Sequence, residues 1–528
     1  MKAQHSNRAT FTATALLGLV AIVAIGCSGS STAPTPAPAT YSVTYDGNGS
    51  SGGSAPVDAA KYTAGSTVTV LGNTGTLVKT GFDFSGWNTL ADHTGTAHAP
   101  AATFAMGSAN VTLYAAWLQW WSGTKQLGVA GAATSGNSVT TDASGNVYVT
   151  GLTNGGLDGN TKTGTNDCFL TKYDSSGTKL YTKQLGVAGG ATQGISVAAD
   201  ASGNVYVVGW TDGGLDGNTK IGTRDVFFTK YNSSGTKLYT KQLGATGGFT
   251  QSYSGAIDAS GNLYVTGLTT GGLDGITRTG TVDFFLTKYD SSGTKLYTKQ
   301  LGVAGATTEG HSVATDASGN VYVTGWTNGG LDGNTKTGTS DFFLTKFDSS
   351  GTKLYTKQLG VAGAATQGNS VATDASGSAY VTGWTMGGLD GNTKTGSNDF
   401  FLTKFDSSGM KLYTKQLGVS GVVALGYSVA TDASSNVFVT GYTMGGLDGN
   451  TLAGTDDFFL TKYDSSGAKL YTKQLGVAGA ATIGVSVTAK ASGNVYVTGS
   501  TAGGLDGNTK TGTTDFFLTK YNGSGVKQ

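Results

Sequence analysis

Few side chains of this sequence could carry out acid–base or nucleophilic chemistry. Among 528 residues there are four histidines, arginine occurs only at Arg8, Arg224 and Arg278, and Glu309 is the only glutamate. Enzymes take most of their general acids and bases from His, Glu, Asp and Lys. No carboxylate recurs in register with His311, so we expect a loop residue there rather than a general base. The sequence therefore predicts no catalytic residue.

Aspartates recur through most of the chain at a spacing of 58 residues. One series lies in Gly-Gly-Leu-Asp-Gly-Asn segments, and Asp274 belongs to it although Ile276 replaces the Asn. Ca²⁺ takes about 6–8 oxygens, usually from several carboxylates, whereas each segment offers one Asp. We expect Asx turns that satisfy their own backbone, with calcium as the alternative and no other cofactor. The calcium candidates are Asp158, Asp216, Asp332, Asp390, Asp448 and Asp506.

A second aspartate series precedes an apolar segment in each 58-residue unit. One copy in every unit indicates a structural ring of hydrogen bonds rather than a catalytic group. The members of this series are Asp167, Asp225, Asp283, Asp341, Asp399, Asp457 and Asp515.

Two further positions of the unit carry aromatic residues in some copies and not in others. Because the copies share the demands of one scaffold, positions that differ are the candidates for ligand contact. Large aromatic surfaces stack on sugar rings or extended peptide, although packing inside the fold is an equal alternative for Trp. The candidate ligand-binding residues are Trp210, Trp326, Trp384 and Tyr442 at one position and Tyr253, His311 and Tyr427 at the other.

The element that must position these residues is the repeat. Lys-Gln-Leu-Gly begins at Lys125 and returns every 58 residues up to Lys473. Each unit contains four short strand signals, such as Ala379–Thr382 and Phe400–Thr403, and no helical period. Four strands repeated roughly four to eight times are typical of a β-propeller. Proline is absent from the repeats, which agrees because Pro cannot donate to a sheet ladder.

The predicted fold class is all-β: a closed seven-bladed β-propeller of four-stranded blades over residues 118–528, preceded by a small β-grasp-like module. A fourth-strand segment, Gly123–Gly128, comes before the first full unit. The sequence stops at Gln528, where the fourth strand of the seventh unit would begin. We therefore expect the N-terminal strand to complete the last blade and to remove an exposed sheet edge.

The repeated unit resembles the bacterial seven-bladed β-propeller repeat. The resemblance lies in Thr373–Gly377 running into Ala379–Gly383, in Asp399–Lys404 and in Asp406–Gly409, and all seven units match. It implies an extracytoplasmic propeller and no particular activity.

Loop lengths distinguish the two faces of such a ring. The connections Asp142–Asn146 and Asp174–Gly177 are tight turns with Asp and Gly at favourable positions. The connections Val129–Asn137 and Asn154–Asn166 are longer and, because strands alternate in direction, lie on the opposite face. We expect that long-loop face to have the room for binding.

Residues 41–117 form a separate segment. It begins with an alternating strand at Tyr41–Tyr45, continues through the aromatic, Gly-rich element Gly81–Asn88, and ends in a strand at Val111–Trp117. These motifs resemble the Listeria/Bacteroides repeat, which is related to the internalin B-type repeat of bacterial surface proteins. The resemblance implies a spacer or adhesive module without catalytic residues.

The N-terminus is typical of an export signal. Lys2 and Arg8 precede a short apolar run, and Ala24-Ile25-Gly26-Cys27 resembles the lipobox of bacterial lipoproteins. The resemblance implies a signal peptide over 1–26, a lipidated Cys27 and a Pro/Ser/Thr tether over 27–40; an ordinary signal peptide is the alternative. Cys168 replaces a Phe of the sister units, so we expect a small buried hydrophobic residue there.

Composition narrows the function classes. Charged residues make up 12%, with 33 Lys and Arg against 32 Asp and Glu, and no basic cluster suits nucleic acid. We expect a monomeric, lipid-anchored protein of the bacterial envelope, in the outer membrane or at the cell surface. Its propeller would be a non-catalytic binding or adhesion scaffold for a glycan or an extracellular protein. A purely structural envelope protein and, third, a propeller hydrolase or lyase acting on carbohydrate are the alternatives.

Overall fold

The computed structural model describes residues 37–119, 121–491 and 493–528. The predicted signal peptide, Cys27 and all but the last residues of the predicted tether lie outside the described residues. Two compact units divide the chain, the first ending at Trp117 and the second running from Leu118 to Gln528. Among the described residues, no helix is long and apolar enough to cross a membrane.

The first unit is a small β-structure around a tryptophan core. Its largest sheet has the order β2-β8-β5-β6, in which β2 and β8 are parallel, and two short two-stranded sheets, β1-β3 and β4-β7, accompany it. Trp87 is fully buried and its indole N–H donates to the Leu71 carbonyl at 2.8 Å. The strands are β1 Thr40–Tyr41, β2 Val43–Asp46, β3 Tyr62–Thr63, β4 Thr67–Thr69, β5 Phe82–Asn88, β6 Ala97–His98, β7 Thr103–Ala105 and β8 Val111–Gln119.

The second unit is a seven-bladed propeller in which each blade is a four-stranded antiparallel sheet. The first blade consists of β10 Thr134–Thr141, β11 Val147–Thr153, β12 Asp167–Tyr173 and β13 Lys179–Leu185. Its two middle strands are almost entirely buried, as the continuous apolar runs of the sequence predict, because both blade faces pack on neighbouring blades.

The other blades repeat this pattern. Blades two to four contain β14 Thr192–Ala199, β15 Val205–Thr211, β16 Asp225–Tyr231, β17 Lys237–Leu243, β18 Thr250–Ile257, β19 Leu263–Thr269, β20 Asp283–Tyr289, β21 Lys295–Leu301, β22 Thr308–Thr315, β23 Val321–Thr327, β24 Asp341–Phe347 and β25 Lys353–Leu359. Blades five to seven contain β26 Thr366–Thr373, β27 Ala379–Thr385, β28 Asp399–Phe405, β29 Lys411–Leu417, β30 Ala424–Thr431, β31 Val437–Thr443, β32 Asp457–Tyr463, β33 Lys469–Leu475, β34 Thr482–Ala489, β35 Val495–Thr501 and β36 Asp515–Tyr521.

The ring closes through a short strand, β9 Lys125–Leu127, that lies before the first blade in the chain. It pairs with β36 and becomes the outer strand of the seventh blade, with Phe516 opposite Leu127 and Leu518 opposite Lys125. The first strand of the first blade, β10, is also joined to the seventh blade, since the Thr134 N–H donates at 2.9 Å to the carbonyl of Thr514, the residue before β36. The predicted closure, in which the N-terminal strand completes the last blade, is therefore present, and we call the pairing of β9 with β36 the clasp.

The outer strand of the seventh blade is shared between the two ends of the propeller sequence. Lys527 bridges Tyr521 and pairs with Asp506, as Lys179 does with Tyr173 and Asp158 in the first blade. The other half of this edge is β9. Trp121 lies against Tyr496 at 5.5 Å between ring centroids, and the Lys125 ammonium lies 5.4 Å from the centroid of the Trp121 ring.

The longest connection of each blade does not stand on the long-loop face as we expected. In the first blade the Leu157 N–H donates to the Gln184 side chain at 2.9 Å, the Asn160 side chain donates to the Thr182 carbonyl at 3.2 Å, and Leu157 is fully buried. The loop thus folds back along β13, because removing the Leu157 side chain from water lowers the free energy of the folded protein. In five blades its centre is a short 3-10 turn: Leu157–Gly159, Leu331–Gly333, Leu389–Gly391, Leu447–Gly449 and Leu505–Gly507.

Candidate functional site

A cavity of about 550 Å³ lies on the propeller axis. It is surrounded by the first strand of each of the seven blades, which we call the inner strands. Each inner strand contains a β-bulge; in β10 the register shifts between Gly136 and Ser138, so Asn137 is left out of the ladder. A bulge re-aims the extra side chain, and here it lines the cavity. The bulge residues that line it are Asn137, Ile195, Tyr253, His311, Asn369, Tyr427 and Val485.

Serines next to the bulges join neighbouring inner strands. The Val197 N–H donates to the Ser138 hydroxyl of the preceding blade at 3.1 Å. The same bond between Val139 and Ser486 crosses from the first blade to the seventh at 3.2 Å. These bonds fix the spacing of the strands that carry the bulges, so the cavity wall is a rigid part of the ring.

One sector of the wall holds a polar cluster. The His311 Nε2 lies 3.0 Å from Glu309 Oε2, and the His311 ring lies 4.8 Å from that of Tyr253 between centroids. Burial, followed by the nearby Glu309 carboxylate, raises the pKa of Tyr253 to about 12. Its hydroxyl therefore keeps its proton at neutral pH. The prediction that His311 is a loop residue is wrong, because it lies within β22 with a carboxylate beside it.

Arg224 extends this cluster toward the second blade. Its Nε donates to Asp212 Oδ1 and its Nη1 to Gln251 Oε1, both at 2.9 Å. Its guanidinium lies 3.5 Å above the Trp210 ring, and Trp210 is buried beneath it. Arg224, Glu309 and His311 are three of the residues that interrupt the repeat. The fold brings them to one side of the axial cavity. Arg278 is exposed elsewhere and donates to its own loop.

The other candidate aromatic residues lie at the ends of second strands. Trp326, Trp384 and Tyr442 are half-buried and pair across the sheet with the inner strands. The rings of Tyr427 and Tyr442 lie 5.7 Å apart between centroids, so the two aromatic positions meet in the sixth blade.

Three further variable positions of the unit join the same surface, and the sequence reasoning missed them. In the first blade they are Ser135, Asn154 and Asn166; Ser135 pairs with Leu152, and Asn154 accepts from the Ala133 N–H. Their signal was already present in the sequence, because these positions also differ among the seven copies. We call the surface formed by Ser135, Asn137, Leu152, Asn154, Asn166 and their equivalents at multiples of 58 residues the funnel.

Polar groups of the funnel lack partners within the described part of the chain. The amides of Gln193 and Gln367 and the hydroxyl of Tyr253 make no hydrogen bond there, although all three residues are half-buried. Buried Ser340 Oγ and Asp456 Oδ1 are also unpaired. Unmade hydrogen bonds of this kind cost about 1–3 kcal/mol each when water is excluded, so the surface suits a polar ligand.

The funnel has two unlike arcs at its inner positions. In blades one to five the residue two positions before the bulge residue is polar; these residues are Ser135, Gln193, Gln251, Glu309 and Gln367. In blades six and seven it is Leu425 or Ile483, and the bulge residues beside them are Tyr427 and Val485. The funnel therefore has a mainly polar arc over blades one to five, in which Ile195 is the apolar bulge residue, and an apolar arc over blades six and seven.

The calcium candidates lie away from the funnel. Each of these aspartates pairs with a lysine at the start of an outer strand or, for Asp506, with Lys527. In Asp158 the backbone takes a left-handed conformation with φ of 55°. No group of three or more His, Cys, Asp or Glu side chains that could hold a metal ion occurs in the part of the chain that the structure describes.

The second aspartate series forms the structural ring that its periodicity predicts. Asp167 is fully buried and accepts from the N–H groups of Thr163 and Gly164 at 2.7 Å and from the Gln184 amide at 2.8 Å. Cys168 beside it is buried, and burial raises the pKa of its thiol to about 12. It is an unreactive packing residue.

Comparison with known families matches both parts of the chain. The Beta-propeller repeat matches residues 123–158, 180–216, 238–274, 296–332, 354–390, 412–448 and 470–506. The chain belongs to the β-propeller repeat family. The Listeria-Bacteroides repeat domain matches residues 41–116, so the predicted module is confirmed as well.

Curated relatives share short parts of this β-propeller repeat protein. A protein of Evansella cellulosilytica, which its name describes as a membrane protein, is 46% identical over 77 residues, 15% of this chain and 11% of its own. The regulatory protein FlaEY of Caulobacter vibrioides is 27% identical over 235 residues, 38% of this chain and 24% of its own. This chain thus covers less than a quarter of the length of either relative.

Among solved structures, the polysaccharide lyase Uly1 is 12% identical with a TM-score of 0.42. The match covers 74% of this chain and 90% of that one.

Proposed function

We propose that this protein is a lipid-anchored protein of the bacterial envelope whose propeller binds a glycan or an extracellular protein without catalysis. The ligand lies on the long-loop face, at the funnel. The observation that carries this proposal is that the bulge position, which differs strongly among seven otherwise similar repeats, lines one cavity in all seven blades.

The funnel has the features of a binding surface. It combines aromatic platforms, unpaired amides and a rigid wall, which are typical of a preformed ligand site. The carboxylates nearest its polar cluster are engaged, Asp212 by Arg224 and Glu309 by His311. A glycosidase needs two carboxylates free to act as acid and base or nucleophile, so binding is better supported than hydrolysis.

The envelope location has separate support. The Cys27 motif, the proline-rich tether and a module of the kind found in bacterial surface proteins follow one another in the sequence. The name of the Evansella cellulosilytica relative agrees with a membrane location. Cys27→Ala should release the protein from membranes and remove the acyl mass from its N-terminal peptide; wild-type protein cleaved elsewhere and free in the medium would contradict the anchor.

The binding proposal is tested with the purified protein against immobilised cellulose, chitin, xylan, alginate, collagen and fibronectin. The informative variant is Trp326→Leu with Trp384→Leu, because Leu occupies this position in blades one and three. Each lost aromatic contact costs about 0.5–1.5 kcal/mol, so binding should weaken at least about tenfold.

The matched control is Asp290→Asn at a tight turn of the opposite face, where Asn232 and Asn522 occupy the equivalent position. It should bind as the wild type does. Equal binding by the double variant, or retention of all binding by residues 41–117 alone, would place the ligand elsewhere.

A further inference from the structure

We propose that the funnel binds the end of a neutral sugar chain, with the terminal sugar entering along the propeller axis. Its hydroxyls meet the polar arc and its C–H face meets the apolar arc. This inference rests on the proposed function and specifies the ligand and the direction from which it enters.

The shape of the cavity favours an end over an internal segment. Inner strands wall it on every side, since the first and seventh blades are joined by the same serine bond as the first and second blades. A chain that continues in both directions can lie across the mouth but cannot pass sideways into a closed ring. The volume of about 550 Å³ falls within the roughly 300–1,000 Å³ of small-molecule sites.

The polar arc matches the hydrogen-bonding chemistry of a sugar. Adjacent hydroxyls of a sugar both donate and accept, so each needs a mixed set of partners. The second oxygen of Glu309 and both ends of the Gln193 and Gln367 amides have no partner in the described residues. Tyr253, which keeps its proton, adds a donor beside them.

The apolar arc supplies the complementary surface. Val485 brings an aliphatic group and Tyr427 an aromatic ring to the cavity wall. Leu425 and Ile483 lie two residues before them on the same strands and extend this apolar surface of the funnel. A sugar ring has C–H groups on one side that pack on such surfaces while its hydroxyls point outward. A ligand that was polar all round would leave this arc unsatisfied.

The charges favour a neutral sugar over an acidic one. No lysine or arginine is among the residues that line the cavity in the described structure. The one arginine of the funnel, Arg224, already contacts Asp212 and Gln251. Glu309 and Asp456 bring further carboxylates, so a uronate would meet like charge without a free cation to offset it.

The experiment titrates the full-length protein with cello-, chito-, xylo- and malto-oligosaccharides of increasing length, and with alginate oligosaccharides, by calorimetry. We expect one neutral series to bind, with an affinity that stops rising once the first few sugars are present. An affinity that grows with every added unit would mean that the chain lies across the mouth and would overturn the proposal. Tighter binding of alginate, or no binding by any series, would also overturn it.

Substitutions taken from sister blades test the residues without disturbing the scaffold. Glu309→Gln reproduces the residue of blades two, three and five, and His311→Asn that of blades one and five. Each should weaken binding about tenfold with an unchanged melting temperature, while Asp290→Asn binds normally. If the two Trp→Leu changes weaken binding but Glu309→Gln and His311→Asn do not, the proposed function stands and end-on entry is wrong.

Discussion

The two ends of the propeller strands differ in how their polar side chains are used. At the tight turns, Asp374 accepts from the N–H groups of Ser376 and Ser378 and from the Tyr380 hydroxyl, and nearly the same bonds recur from blade to blade. At the funnel, Gln193 and Gln367 have no such partners in the described structure, and their equivalents differ from copy to copy.

The difference shows which residues the fold itself requires. Seven copies in one chain must each form the same turns, so a residue that completes a turn recurs. A residue that the blade does not use is free to differ. The tight-turn end is therefore built for closure and stability, whereas the funnel keeps hydrogen-bonding capacity for something outside the blade.

Removal of the clasp should produce the largest effect on the scaffold. Deleting residues 123–128 removes β9 and the bonds from Thr124 to Asp506 and from Gln126 to Asp515. At about 1 kcal/mol for each lost bond, we expect a loss of about 3–5 kcal/mol in urea unfolding, with aggregation through the exposed edge.

Deleting residues 41–116 is the matched control for the clasp and should leave the unfolding of the propeller unchanged. Equal losses from the two deletions would contradict the view that ring closure depends on β9.

A single constant carboxylate should have the next largest effect. Asp399 is fully buried and accepts from the N–H groups of Thr395 and Gly396 and from Gln416. Asp399→Ala leaves these donors unsatisfied and should cost about 2–4 kcal/mol in the same assay. Asp406→Asn, at an exposed turn, should leave the stability at neutral pH nearly unchanged, because Asn occupies the equivalent position at Asn232 and Asn522. A cost at Asp399 no larger than at Asp406 would show that the buried ring is not structural.

The exposed turns should give a smaller, pH-dependent effect. The hydroxyl of Ser350 and then the N–H of Thr352 lower the pKa of Asp348 below its ordinary 3.8, and Asp290, Asp406 and Asp464 are held in the same way. A carboxyl with a lowered pKa stabilises the fold above its unfolded pKa, and that stability is lost as pH falls through the lower folded pKa.

The melting temperature should therefore fall below about pH 4, and less steeply when these four aspartates are changed to the Asn found at Asn232 and Asn522. An unchanged slope would mean that the turns do not contribute to acid sensitivity.

The sequence predicted the propeller, the clasp and the ring of Asp167 equivalents because each rests on periodicity, which the fold must obey in every blade. It did not predict that the loop around Leu157 folds back along β13, since a single Leu in a Gly-rich loop shows no strand or helix alternation that would indicate burial. Asp158 consequently pairs with Lys179 and is not displayed on the face.

The funnel was only partly predicted. Asn137 and its equivalents were identified as candidates because they vary among the copies. A β-bulge leaves no mark in the alternation of the sequence, so the sequence could not show that these residues line one axial cavity. Whether a tryptophan is open or covered also depends on neighbours distant in the chain: Trp210 is covered by Arg224, whereas Trp326 is half-exposed at the equivalent position.

Hydrogen–deuterium exchange with and without a bound oligosaccharide tests whether the funnel is the binding surface. We expect slower exchange in the first halves of the inner strands, such as residues 134–138 and 308–312, and no change at the tight turns such as 374–378. Protection at those turns, or only within residues 41–117, would contradict the assignment of the funnel as the binding surface.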